Sequence, residues 1–355
     1  MDDFIHATRR NIPNELIDSI IDYNHSDPPT LLASALVSKK WIPASRYHVF
    51  SNINISHENA QEFMQLVRSP NCTFCGILRG LNVHFAPGSQ RWFSEFLRRL
   101  SSVDRINVTS LMLSGTRNTA IRDEVVLALS TYFAQVKHFR VGTVVFESFT
   151  EFATILRNFR ALESLSCAAT FQLATPADDI QFAARLQSLD LISPSIGPIF
   201  NFLLVQGALP TIALLSLSHP VIDDYNNLTT YFSTSNEILQ SLSIRMDSTF
   251  SGVTIDEFTE RINMGQLRAL RNLVIDTTPA MSPDQAFALL TTISSSQLTK
   301  IKVALQLVQG VARMDILFSG GHFLAIHELV ILRASWDEVR QFLPRCDARG
   351  ILREV

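Results

Sequence analysis

The chain has 355 residues, 46% hydrophobic and 18% charged, with a formal net charge of −3. That is ample material for a large buried core, and the near-balanced charge, without a broad basic field, argues against nucleic acid or an anionic membrane as partner. Four cysteines suit a reducing compartment, cytoplasmic or nuclear, and the opening residues lack the apolar run of a signal peptide.

Residues 1–10 are polar and expected to be flexible. Residues 11–50 predict three short helices. Pro13 fits the first turn of the first helix and Glu15 sits near the positive end of its dipole, while Leu16, Ile17, Ile20 and Ile21 make its apolar stripe. His25-Ser26-Asp27-Pro28-Pro29 is a turn. The second helix carries Leu31, Leu32, Ala35 and Leu36. The third opens at Pro43, with Trp41 just before it and Tyr47, Val49 and Phe50 along it. Roughly forty residues bury too little surface to be comfortably stable alone. They also carry more large apolar side chains than so small a bundle can hide, the mark of an interaction site.

From 51 to 335 one pattern recurs, apolar-x-x-apolar-x-apolar. It starts at Leu78, Val108, Val136, Leu162, Leu186, Ile212, Leu239, Leu270, Leu298 and Ile326, at spacings of 24 to 31 residues. Phe50/Ile53/Ile55 is a candidate eleventh copy. Helical stripes follow most copies: 58–68, 90–100, 122–133, 149–159, 199–205, 223–232, 254–262, 283–293 and 336–343. Capping boxes mark three of the starts, Ser148 with Glu151, Thr254 with Glu257 and Ser335 with Glu338. A strand and a helix repeated at this period predict an α/β fold, a short three-helix head followed by a curved solenoid of about ten strand–helix units. The charged stretch 336–355 is placed to cap its end.

Catalytic signatures are missing: no Gly-x-Gly-x-x-Gly, P-loop, nucleophile elbow or His-Glu-x-x-His occurs. Ser319-Gly320-Gly321-His322 reads as a turn, and Asp178-Asp179 and Asp223-Asp224 read as helix starts. Cys72 and Cys75 form a single CxxC without a second pair, so no metal site and no cofactor is expected. Leu191–Ser218 carries no formal charge, but Pro194, Gly197, Pro198, Gly207 and Pro210 break it. It therefore reads as two buried repeat units and not as a membrane span. The chain is expected to be a binding protein, not an enzyme.

Residues 12–50 resemble the F-box, in its fungal form. The resemblance rests on Ile12-Pro13-Asn14-Glu15-Leu16-Ile17, the leucine-rich run Leu31–Leu36, and Val37-Ser38-Lys39-Lys40-Trp41 with Ala44 and Arg46. Asn24 departs from it, standing where an apolar residue commonly ends the first helix. The repeats resemble degenerate leucine-rich repeats that lack the usual Asn or Cys ladder. The family implies a substrate receptor of an SCF-type ubiquitin ligase, monomeric outside the complex. Its F-box docks a Skp-family linker, and through it a cullin. Carried over by position, the linker contacts are Pro13, Leu16, Ile17, Ile20, Leu31, Leu36, Val37 and Trp41. A target protein would meet the residues flanking the inward strand positions: His84, His138, Arg140, Asp190, Arg245, Asn272, Asp276, Lys300, Lys302 and Glu328, interleaved with serines. The alternative is a repeat scaffold whose helical head is only a cap.

Overall fold

The structure, a computed structural model, describes residues 12–86, 90–103, 106–116, 119–174, 185–205, 211–247, 254–308 and 310–354. The expected flexible terminus and the Asp178-Asp179 helix start lie outside them. The fold is mixed α/β: fourteen helices are described, and the strands belong to two parallel sheets, one of eleven and one of three. The chain divides after Met112 into two compact units.

In the first unit, α1 (Asn14–Tyr23), α2 (Pro28–Val37) and α3 (Ile42–Ser51) form the helical head. They are followed by β1 (Asn52–Ile55), α4 (Ala60–Arg68), β2 (Gly80–Phe85) and α5 (Arg91–Leu100). β1 pairs in parallel with β2, Ile53 opposite Leu81 and Ile55 opposite Val83, so the eleventh copy is a true strand. Its first member, Phe50, still belongs to α3. Gly80 lies against the Asn52 side chain, whose Oδ1 would stand 1.8 Å from a Cβ there, so a larger residue would require Asn52 to turn aside.

β3 (Ser110–Gly115) runs across the division. In the second unit β5 (His138–Val141), β7 (Ser164–Cys167), β9 (Ser188–Ile192), β10 (Leu214–Ser218), β11 (Ser241–Asp247), β12 (Asn272–Thr278), β13 (Lys300–Ala304) and β14 (Glu328–Leu332) lie side by side in that order. The register follows the repeat. Leu215, Leu242, Leu273, Ile301 and Leu329 stand in one row, and Leu217, Ile244, Ile275, Val303 and Ile331 in the next. Every residue of the ten triplets is at most 3% exposed. Burial of apolar area at these positions is the main favourable contribution to the fold.

Main-chain bonds join successive strand–helix units. Just before β5, β9 and β12, for example, one carbonyl accepts two N–H groups from the next unit: Lys137 O from Glu163 and Ser164, Gln187 O from Ala213 and Leu214, Arg271 O from Thr299 and Lys300. Serine hydroxyls add to it, Ser195 donating to Cys167 O and Ser295 to Leu270 O. These bonds give partners to carbonyls at the joints between units, those of Cys167 and Leu270 among them buried.

The helices follow the expected stripes: α6 (Asp123–Tyr132), α7 (Phe149–Asn158), α8 (Ile196–Val205), α9 (Tyr225–Thr234), α10 (Ile255–Arg261), α11 (Pro283–Thr291) and α13 (Trp336–Phe342). All three capping boxes form. Helix α8 begins three residues earlier than its stripe suggests, because Gly197-Pro198 lies in its first turn, where proline's fixed φ and missing N–H cost nothing. Asp224 stabilises that turn: its carboxylate accepts N–H groups from Val221, at 3.0 Å, and Gly197. Burial nevertheless outweighs these bonds and pushes the Asp224 carboxyl above its usual 3.8. The folded chain then holds a proton that the unfolded chain has released, so stability falls as pH rises through that window. Relative to Asp224→Asn, the wild-type chain should lose stability in urea titrations as pH is raised above 3.8. A pH-independent difference between the two would contradict this.

Two helices and one sheet were not expected. Helix α12 (Ala312–Ser319) is held to eight residues between Gly310 and Gly320-Gly321, too short a run to show periodicity. The second sheet orders β4 (Thr119–Ala120), β6 (Val144–Ser148) and β8 (Thr170–Leu173), with Phe146 opposite Phe171.

The end of the chain closes on the last strand. Helix α14 (Pro344–Ala348) offers its first free amides, Arg345 N–H and Cys346 N–H, to the buried Asp315 carboxylate at 3.0 and 2.9 Å. Leu329 N–H then donates to Ile351 O, and Arg353 N–H to Leu329 O, which covers part of the edge of β14. Asp315→Ala orphans two amides at once and is expected to cost about 2–4 kcal/mol in a urea titration. A loss below about 1 kcal/mol would show that α14 does not depend on this carboxylate.

Candidate functional site

The head, in the first unit, carries several exposed large apolar side chains. The head's core is Ile17, Ile21 and Leu31, with Trp41, Ala44 and Val49 packed partly against it. Two stripes therefore run along α1. Ile17 and Ile21 face in, while Leu16 (56% exposed), Ile20 (44%) and Tyr23 face solvent. On α2, Leu31 is core, whereas Leu32, Leu36 (88%) and Val37 (67%) are exposed; on α3, Tyr47 is exposed. Of the eight residues carried over as linker contacts, Pro13, Leu16, Ile20, Leu36 and Val37 are thus accessible. Ile17 and Leu31 are closed off in the core, and Trp41 is half-buried against it.

Local bonds fix this arrangement. Asp27 caps α2, accepting from Thr30 N–H and, at 2.6 Å, from Thr30 Oγ1, and the Thr30 hydroxyl holds its carboxyl below the usual range. His48 of α3 lies 2.7 Å from Asp22 of α1. Asn24 is the C-cap of α1: its Nδ2 donates to Ile20 O at 2.8 Å and its N–H to Ile21 O. A side-chain amide that closes the helix gives this polar residue a role that an apolar one could not fill.

The residues expected to face a target protein occupy alternate strand positions. His84 lies exposed on β2 in the first unit. In the second unit His138, Arg140 and Arg245 are exposed, and Asp190, Asn272, Asp276, Lys300, Lys302 and Glu328 are half-buried. Asn272, Lys300 and Glu328 stand in one row, with Lys300 and Glu328 paired at 2.7 Å; this lysine lowers the Glu328 carboxyl. Asp190 accepts from Ser166 at 2.9 Å. Sequence reading missed Arg333, immediately after β14. Its φ is 64°, and its guanidinium reaches Asp276 at 2.6 Å and Thr278, both two strands away on β12. Arg245 approaches the same Asp276 at 3.5 Å. A non-glycine residue in the left-handed region is strained and needs such compensation. The result is a mixed-sign polar patch across β11–β14.

Elsewhere, Asp123, Glu147 and Glu151 bring carboxylate oxygens within 4.8 Å of one another. Glu151 is already engaged in its capping box, and burial first, then Asp123 and Glu147, raises its pKa. No helix among the described residues is long and apolar enough to cross a membrane. No family model matches the chain, and no curated protein matches it.

Proposed function

We propose that this chain is a non-catalytic substrate receptor of an SCF-type ubiquitin ligase, in which the F-box-like head docks a Skp-family linker. In this reading the strand–helix units form a curved leucine-rich-repeat-like solenoid whose polar strand face takes a protein target. The receptor would act by raising the target's effective concentration near a conjugating enzyme held on the cullin scaffold. One observation carries the proposal: Leu16, Ile20, Leu36 and Val37 lie exposed on a small bundle whose core is already filled by Ile17, Ile21 and Leu31. Isolated apolar residues on a surface are ordinary, but several of them on forty residues support the reading of the head as a docking element. Titrating the purified chain with a purified Skp-family linker tests it. A stoichiometric complex is expected, and a folded chain that ignores the linker would end the ligase reading.

The cap reading has its own support. Helix α3 runs into β1 without a linker, and Phe50 sits at the repeat's first position. If the head is only a cap, polar substitutions on its exposed face will leave every partner's affinity unchanged.

A further inference from the structure

The turn between α4 and β2 holds Cys72 and Cys75, not joined by a disulfide, with their sulfurs 2.7 Å apart. A disulfide bond spans about 2.04 Å, so little movement separates the pair from bonding. Main-chain bonds preset the turn: Cys72 N–H donates to Ser69 O, and Ile77 and Leu78 both donate to Phe74 O. The two residues between the cysteines grip the head. Thr73 Oγ1 accepts from the Arg46 guanidinium, and the Phe74 ring stacks on Phe50 with centroids 4.7 Å apart and planes inclined by 12°. Arg46 also lies over the Phe50 ring at 5.7 Å. Cys72 is half-exposed, so a small oxidant can reach it. Cys167 and Cys346 are buried, and burial pushes both thiols up, that of Cys167 to about 12.

We propose that Cys72-Thr73-Phe74-Cys75 is an oxidisable dithiol, closed to a disulfide by a peroxide, whose closure tightens the hold of this turn on α3. The Cys72 thiolate attacks the O–O bond of hydrogen peroxide, forming a sulfenic acid; the leaving hydroxide takes up the thiol's proton as water. The Cys75 sulfur then displaces the sulfenic hydroxyl, which leaves as a second water carrying the Cys75 proton. Two thiols are oxidised by two electrons and one peroxide is reduced to two waters. The bond closes a ring around Thr73 and Phe74, the two residues that touch α3, so the turn can no longer open without carrying them. This inference is independent of what the head docks.

The full chain is treated with hydrogen peroxide, blocked with N-ethylmaleimide and mapped by mass spectrometry, with hydrogen exchange followed over 42–51. A 72–75 peptide lighter by two hydrogens is expected, with Cys167 and Cys346 unoxidised. Exchange in α3 should slow roughly tenfold, as a cross-link removes open states. Dithiothreitol should reverse both changes, a control that needs no variant, and Cys72→Ser and Cys75→Ala should each abolish them. The proposal is overturned if both thiols survive peroxide, if Cys72 advances to sulfinic acid without joining Cys75, or if the disulfide forms and α3 exchanges as before.

Discussion

Phe152→Ala is expected to destabilise the second unit by about 3–5 kcal/mol, a large part of the roughly 5–15 kcal/mol that holds a typical domain. Phe152 lies on α7 and is fully buried. Its ring stacks with Phe139 of β5 at 6.3 Å and meets Phe146 of β6 at 5.2 Å, Phe149 at 6.2 Å and Phe171 of β8 at 5.4 Å. One side chain thus joins the main sheet to the small one. Truncating it opens a cavity between strands that are pinned by their ladders and cannot collapse into it, so the cavity's cost adds to the lost burial. Urea unfolding followed by circular dichroism measures the loss. Leu127→Ala, at a residue 70% exposed on the neighbouring α6, is the control and should stay within about 0.5 kcal/mol. A loss below about 1 kcal/mol for Phe152→Ala would show that the two sheets do not share a core.

The paired change Leu16→Asp with Val37→Asp is expected to remove linker binding. Interface residues at the centre of a docking face commonly contribute about 2 kcal/mol or more each, so losing both should weaken binding roughly a thousandfold or beyond. Both side chains are more than half exposed, so the fold should lose only a few tenths of a kcal/mol. Calorimetric titration of linker into wild-type and variant chain reads the affinity, and urea unfolding reads the fold. Unchanged affinity would place the contact elsewhere. A collapse in stability would show that these side chains serve the chain's own packing.

Much of this architecture could be read from the residues, for identifiable reasons. The buried strand positions announced themselves because a strand enclosed by its neighbours needs the same apolar spacing each time. The three capping boxes were legible because they are local, the partners only three residues apart. The second sheet was not, since β4 has two residues and β6 and β8 no more than five, and so short a run sets no period. Arg333 was illegible because its partner Asp276 lies 57 residues earlier in the chain, and no local spacing links the two. In the head, Leu16/Ile20 and Ile17/Ile21 are both good i, i+4 stripes, about 100° apart on the helix. Nothing along α1 itself says which of them turns inward. That choice is made by Leu31, on another helix.

The carbonyl spine that joins successive units in the second unit has a consequence for how freely the sequence can drift. Each rung is peptide meeting peptide, and any amino acid except proline brings the same N–H to it. Glu163, Gln187, Ala213, Gln240 and Arg271 hold equivalent places and share no chemistry beyond their backbone. A stack joined this way can replace the visible letters at its joints one after another and keep its shape.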